Sequence, residues 1–242
     1  MTQPMPIAGA QDRAPRVRAM FDRLAPRYDL ANRVLSLGLD QAWRRRAIAA
    51  LGTAGKGEVL DLCAGTLDFT ASLLEEGASR VYAVDFSQPM LDAGAHKLAA
   101  DAPVELICAD ARRLPLADDS VDAIVSGFGL RNVPEVEVAV AECSRVLRPG
   151  GRLVVLDFFR PETLIARILQ GSWNRLVVPL IGGWITGVGE AYRYLFQSID
   201  SNVSRADFEA VLVAAGFIAT GRDLLPPVAS LVMGVRAEVS NG

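Results

Sequence analysis

The chain has 242 residues, 51% of them hydrophobic, and its 25 basic and 28 acidic residues leave a net charge of −3. That length suffices for one large α/β domain with a full core, and the slight acidity argues against nucleic acid or another polyanion as partner. A single histidine, His96, and three scattered cysteines (Cys63, Cys108, Cys143) without a CxxC pair argue against zinc and predict no metal; the cysteines read as packing residues in a reducing cytoplasm.

Residues 1–15 read as a disordered lead without a signal peptide, and 16–242 as a single domain. No apolar run approaches the roughly 18–20 residues that a bilayer span needs. Within 16–52, apolar residues at helical spacing (Val17, Met20, Phe21, Leu24) predict two or three helices, the first broken at Pro26. Arg44-Arg-Arg46 reads as a solvated helix face, with lipid headgroups as the second reading. From 58 to 158 strands and helices alternate: strand 58–63, helix 69–76, strand 80–84, helix 88–99, strands 103–108 and 121–126, helix 135–147, strand 151–158. Such alternation predicts a parallel sheet with helices on both faces. Ser87 reads as a helix N-cap and Arg148-Pro-Gly-Gly151 as a turn. Residues 160–216 read as a helical cover, with an amphipathic helix over Leu164–Val178, an apolar Gly-rich stretch over Pro179–Gly189 and a helix from Ser204 to Ala215. Phe217–Leu224 and Val228–Arg236 read as an antiparallel strand pair within 217–236.

Three apolar runs stop at an acid or a tight turn. Glu58–Cys63 runs into Ala64-Gly-Thr-Leu-Asp68, Arg80–Val84 ends on Asp85, and Val104–Cys108 ends on Ala109-Asp110. Such runs are buried parallel strands whose carboxyl ends face a ligand. Asp85, 24 residues past Asp61, suits the two hydroxyls of a ribose. The first turn has one glycine, Gly65, where a dinucleotide site has three, and Asp68 would repel a phosphate but suits a cationic amino group. S-adenosylmethionine has that amino group, a ribose diol, an adenine and no phosphate.

Asp61-x-x-x-Gly-Thr-x-Asp68, Asp85, Asp110-Ala111 and Arg148-Pro-Gly-Gly151 resemble the motif series of class I S-adenosylmethionine-dependent methyltransferases. Met20–Asn32, Gly38–Arg44, Gly127-Phe-Gly-Leu-Arg-Asn-Val133 and Ala191-Tyr-Arg-Tyr-Leu195 are more specific. They resemble the ubiquinone/menaquinone biosynthesis C-methyltransferases, over residues 16–217. The resemblance implies a Rossmann-like fold: a mostly parallel seven-stranded sheet, helices on both faces, and a C-terminal antiparallel hairpin. It implies methyl transfer to a ring carbon of a prenylated quinol, demethylmenaquinol or the ubiquinol precursor, by a cytoplasmic enzyme weakly held at the inner membrane face. A homodimer is open as a further partner. The rival readings are a small-molecule methyltransferase of secondary metabolism and a non-catalytic methyltransferase-like protein.

Carried onto this sequence, the resemblance puts Gly65 and Thr66 at the methionine portion, Asp85 at the ribose, Asp110 and Ala111 at the adenine edge, and Gly127 near the sulfonium, with Phe86 a further cofactor-binding candidate. Asp61 and Asp68 complete the cofactor set. Asp85 and Asp68 also read as ordinary helix-start acids, and Asp110 as a turn former. Arg131 and Asn132 are the catalytic candidates, with Arg131 a fixed positive charge beside a phenolate. Their ordinary readings are a salt bridge to a helix acid and a helix cap before Pro134. Tyr28, Trp173, Tyr192 and Tyr194 are candidate substrate contacts, and the apolar 164–185 stretch is either core or a slot for the prenyl tail. Leu67 stands where the family's turn carries a second glycine; it either takes a positive φ or packs in the core.

Overall fold

The computed structural model describes residues 17–23, 25, 28–36, 38–160, 202–224 and 229–238. Residues 17–23 are helical, followed by α1 (Tyr28–Leu35) and α2 (Leu39–Leu51). Then come β1 (Glu58–Leu62), α3 (Asp68–Glu75), β2 (Arg80–Asp85), α4 (Gln88–Gly94), β3 (Val104–Cys108), β4 (Val121–Gly127), α5 (Val136–Val146) and β5 (Leu147–Asp157). The described chain resumes with α6 (Arg205–Ala214), β6 (Phe217–Asp223) and β7 (Ser230–Arg236). The stretches expected as helix and Gly-rich cover over 164–189, with Trp173, Tyr192 and Tyr194, lie outside the described residues.

The seven strands form one sheet in the order β3-β2-β1-β4-β5-β7-β6. Pairs from β3 through β5 are parallel; β7 runs antiparallel to both β5 and β6. The mostly parallel sheet with a C-terminal antiparallel hairpin is therefore present. The order reverses between β1 and β4, and in open α/β sheets that reversal opens a crevice at the carboxyl ends of the strands.

Side chains alternate along each strand, so the two sheet faces collect different residues. Leu60, Leu62, Ile124, Leu153 and Val155 pack with Ala139, Val140 and Cys143 of α5 and Phe208 and Leu212 of α6. Val59, Val125, Val154 and Leu156 pack on the opposite face with Trp43, Ala47 and Leu51 of α2 and Phe69 and Leu73 of α3. Arg44 belongs to this second layer. It is 8% exposed, its guanidinium lies 5.0 Å from the Phe69 ring centroid, and it pairs with Asp68 at 3.3 Å. The expected solvated face at 44–46 is thus wrong for its first residue, because Arg44 shares the buried stripe of α2 with Trp43, Ala47 and Ile48.

Two elements differ from expectation for local reasons. The helix expected over 88–99 ends at Gly94 and continues as a 3₁₀ turn, Ala95–Lys97. At Gly94 a Cβ would lie 2.4 Å from the Thr66 carbonyl, so only glycine lets α4 approach the turn after β1 this closely. The Arg148-Pro-Gly-Gly151 turn is a bulge inside β5: Leu147 pairs with Val121, the register shifts, and Arg152 pairs with Ala123. Ser87 caps α4 by accepting from the Met90 N–H at 3.3 Å, and Ser204 with Asp207 forms a capping box on α6. Among the described residues no helix is long and apolar enough to cross a membrane.

Candidate active site

The carboxyl ends of β1, β2 and β4 and the turn after β3 open onto one cleft of about 740 Å³, its open mouth included. Its wall includes Cys63 and Gly65 after β1, Asp85 and Phe86 at the end of β2, Asp110, Ala111 and Arg112 after β3, and Gly127, Phe128 and Asn132 at and after β4. Phe21 and Tyr28 come from the N-terminal segment, and Met90 comes from α4.

The turn after β1 is tightly wound. Cys63, Gly65 and Leu67 have φ of 60°, 54° and 65°. Ala64 donates to the Val84 carbonyl at 3.0 Å and Leu67 to the Ala64 carbonyl at 2.9 Å, closing the turn onto β2. Leu67 both takes a positive φ and is 0% exposed, packed with Ala83 and Leu91. The left-handed conformation costs a non-glycine residue about 1–2 kcal/mol, and full burial of its side chain is worth about 1.5–3 kcal/mol, so packing outweighs strain.

Asp85 is held by the backbone. Its Oδ2 accepts from the Gly65 N–H and its Oδ1 from the Ser87 N–H, both at 2.9 Å. A carboxylate has about four acceptor positions, and two of them are spent on these donors. Burial pushes its pKa up, and the backbone N–H groups of Ser87, Gly65 and Phe86 oppose that shift. Asp110 is held below the usual carboxylate range by Arg112, whose Nη2 donates to Oδ2 at 2.8 Å and whose Nε reaches Oδ1 at 3.1 Å. Arg112 also donates to Glu135 at 2.7 Å, so its charge is matched on two sides.

Two acids of the expected cofactor set stand behind the wall. Asp61 falls on the same strand parity as Val59 and faces the α2–α3 layer, where the Thr70 hydroxyl donates to it at 2.7 Å. Burial raises its pKa to about 7, against the pull of Thr70 and the Arg44 charge. Asp68 opens α3 and pairs with Lys97 at 2.6 Å and Arg44 at 3.3 Å. Thr66 is buried, and its hydroxyl donates to Asp29.

Asn132 reaches the wall, while its neighbour Arg131 lies behind it. The Arg131 side chain is 5% exposed, pairs with Asp157 at 2.7 Å, and also donates to the Phe128 carbonyl. Its acid partner is the last residue of β5 rather than a helix acid. Phe128 has φ 59°, and this left-handed residue starts the turn that aims Asn132 at the cleft. Arg112 and Met90 carry no sequence signal for the site; Met90 arrives through the Ser87 cap and Arg112 through its fork on Asp110. Cys63 is part of the wall, and burial pushes its thiol pKa well up, which keeps it protonated and inert.

The signature of the ubiE/COQ5 methyltransferase family matches residues 9–233. The chain belongs to that family. It is 42% identical over 223 residues to a ubiquinone/menaquinone biosynthesis C-methyltransferase of Syntrophotalea carbinolica, covering 91% of this chain and 94% of the relative. It is 41% identical over 220 residues to a demethylmenaquinone methyltransferase of Thermus thermophilus, covering 90% of this chain and all of the relative. A SAM-dependent methyltransferase of Thermotoga maritima shares the fold at a TM-score of 0.63 and 18% identity, covering 90% of this chain and 99% of the other. As a member of the ubiE/COQ5 family the chain is a methyltransferase, and S-adenosylmethionine is its cofactor. The cleft suits that molecule: Asp85 has acceptor positions beyond its two backbone donors, and Arg112, the cation of the described wall, is already matched by two carboxylates. A nucleoside without phosphates meets those demands.

Proposed function

We propose that this chain methylates a ring carbon of a prenylated quinol in respiratory-quinone biosynthesis, with demethylmenaquinol and the ubiquinol precursor as the acceptor class. The observation that carries the reading is its 42% identity, over nine-tenths of its length, to a protein named for that reaction. S-adenosylmethionine, when bound, supplies an electrophilic methyl group on its sulfonium. In our assignment Asp85 holds the ribose diol with its remaining lone pairs, and Phe86 walls that side. Asp110 and Ala111 meet the adenine edge, Gly65 and Thr66 the methionine portion, and Gly127 the region near the sulfonium. A Cβ at Gly127 would strike the Phe69 ring at 2.2 Å, which supports a need for close packing there. Asp61 and Asp68 act from behind, holding α3 and the turn in place.

On the acceptor side we assign the chemistry to Arg131 and Asn132. The acceptor carbon becomes nucleophilic as its ring hydroxyl loses a proton, which in this reading leaves through water held beside Asn132. For Arg131 to favour the resulting phenolate, the acceptor must share its guanidinium with Asp157, which holds it at 2.7 Å behind the wall. Tyr28 stands at the cleft as a candidate acceptor contact; Trp173, Tyr192 and Tyr194 keep that role as proposals from the sequence. A prenylated acceptor resides in a bilayer, so the reading includes peripheral docking of a cytoplasmic enzyme at the membrane's inner face.

Methyl transfer assayed in parallel on demethylmenaquinol, the ubiquinol precursor and soluble phenols tests the reading. Product on a prenylated quinol is expected. Turnover confined to the soluble phenols would overturn it. Flotation with vesicles carrying the prenylated acceptor checks the docking.

A further inference from the structure

The N-terminal segment lies across the cleft, and two carboxylates tie it down. Phe21 and Tyr28 belong to the cleft wall, their rings 6.0 Å apart edge to face, with Phe21 also 6.2 Å from Phe86. The Tyr28 ring passes over Gly65: a Cβ built there would lie 3.9 Å from Tyr28 Cε1. Next to Phe21, Asp22 accepts from the Ser87 hydroxyl. Next to Tyr28, Asp29 accepts from the Thr66 hydroxyl and pairs with Lys97 at 2.5 Å.

Lys97 is where these ties converge. An ammonium has three donors. Here Nζ meets three acceptors from two other parts of the chain: the Thr66 carbonyl at 2.7 Å, Asp68 Oδ1 at 2.6 Å and Asp29 Oδ2 at 2.5 Å. The first two belong to the turn after β1 and the start of α3, and the third belongs to the segment above the cleft. Lys97 itself sits just past Gly94, the residue whose missing Cβ lets α4 approach Thr66. Its side chain is 18% exposed against 29% for Asp68 and 42% for Asp29, so the Asp68 pair is the better shielded of the two.

We propose that Lys97 is a positioning residue for the methyl donor: it locks the cofactor turn at Thr66–Asp68 to Asp29 and thereby holds Tyr28 and Phe21 over the bound nucleoside. This rests on the cleft being the S-adenosylmethionine site. Lys97 touches neither cofactor nor acceptor in this account. Its effect falls on how long the cofactor stays, because Phe21 and Tyr28 form part of the wall that holds it, and not on the chemical step.

The test uses the full chain and S-adenosylhomocysteine as probe. Its dissociation rate is measured by stopped-flow displacement in the wild type, Lys97→Met and Asp29→Asn. Trypsin cleavage at the exposed Arg18, Arg23 and Arg33 is followed with and without the probe. Charge-assisted hydrogen bonds of this kind predict dissociation about 10-fold faster in Lys97→Met and several-fold faster in Asp29→Asn, which keeps an acceptor for Thr66 but loses the ion pair. The probe should protect the three arginines in the wild type and much less in the variants. KM for S-adenosylmethionine should rise while kcat at saturation stays within about threefold. Should Lys97→Met fail to fold, Asp29→Asn decides alone, since Asp29 sits in the first turn of a helix with 42% of its side chain exposed. Unchanged dissociation and protection in a folded variant would overturn the proposal, as would a loss of kcat with dissociation unaffected. If the wild type itself binds no S-adenosylhomocysteine, the cofactor assignment fails instead.

Discussion

Asp85 and Asp110 stand in the cleft wall, whereas Asp61 and Asp68, flanking the adjoining turn, face away from it. The wall acids are held by neighbouring backbone N–H groups or by an arginine two residues on, and each also borders the cleft. The backing acids are consumed by a threonine hydroxyl and by the cations Arg44 and Lys97. Strand parity makes the difference at β1: Asp61 is the penultimate strand residue, one position off the parity of Leu60 and Leu62. An acid near the end of a parallel strand is therefore a ligand candidate only when its parity and its partners leave it acceptor capacity on the open side. The same division separates Asn132, in the wall, from Arg131, paired behind it.

Arg131 puts the most strain on that division, because the proposed role is chemical while the side chain is nearly buried. Arg131→Ala should lower single-turnover methyl transfer by about 10²–10³ with little change in cofactor affinity. It also leaves Asp157 buried and unmatched, at a cost of about 3–5 kcal/mol in stability. Adding Asp157→Asn should restore much of the melting temperature and none of the rate. A rate that returns together with stability would make Arg131 a purely backing residue.

Asp61 offers a pH signature in the stability of the ligand-free chain. Its carboxyl is raised from 3.8 to about 7 in the fold, so between those values the folded chain holds a proton that the unfolded chain releases. Stability from this group is thus full below about pH 4 and declines as pH rises towards 7, by at most about 1.4 kcal/mol per pH unit. Asp61→Asn keeps an acceptor for Thr70 and removes that decline. Denaturant melts at pH 5, 6 and 7 should show wild type losing ground to the variant with rising pH. A gap independent of pH would mean that Asp61 is not held protonated by its burial.

Leu67→Gly has the smallest expected effect. Losing the buried side chain costs about 2–4 kcal/mol and relief of the left-handed strain returns about 1–2 kcal/mol, for a net loss near 2 kcal/mol. A higher melting temperature in the glycine variant would show that strain, not packing, dominates the turn.

Much of the sheet was legible because each parallel strand announces itself as an apolar run closed by an acid or a glycine. Asp85 was legible for the same reason, and Ser87 because capping is a local interaction. The bulge in β5 was not, since Arg148-Pro-Gly-Gly151 has the composition of a turn and only pairing with β4 shows that the strand continues on both sides. Arg44 was misread because a run of three arginines suggests solvent, although its spacing from Trp43, Ala47 and Ile48 marks it as part of the buried stripe. The Lys97–Asp29 pair spans 68 positions and depends on where the helix after β2 ends, which no local pattern encodes.

Calorimetric titration of S-adenosylmethionine into the wild type, Asp85→Ala and Asp61→Asn at a single pH tests the division between wall and backing acids most directly. Hydrogen bonds to a charged acceptor are worth about 1.5–3 kcal/mol, so Asp85→Ala should bind about 10- to 100-fold more weakly. Asp61→Asn should stay within about threefold of wild type, since its carboxyl is engaged by Thr70 in the α2–α3 layer and does not line the cleft. Equal losses in both variants, or undiminished binding in Asp85→Ala, would contradict the account.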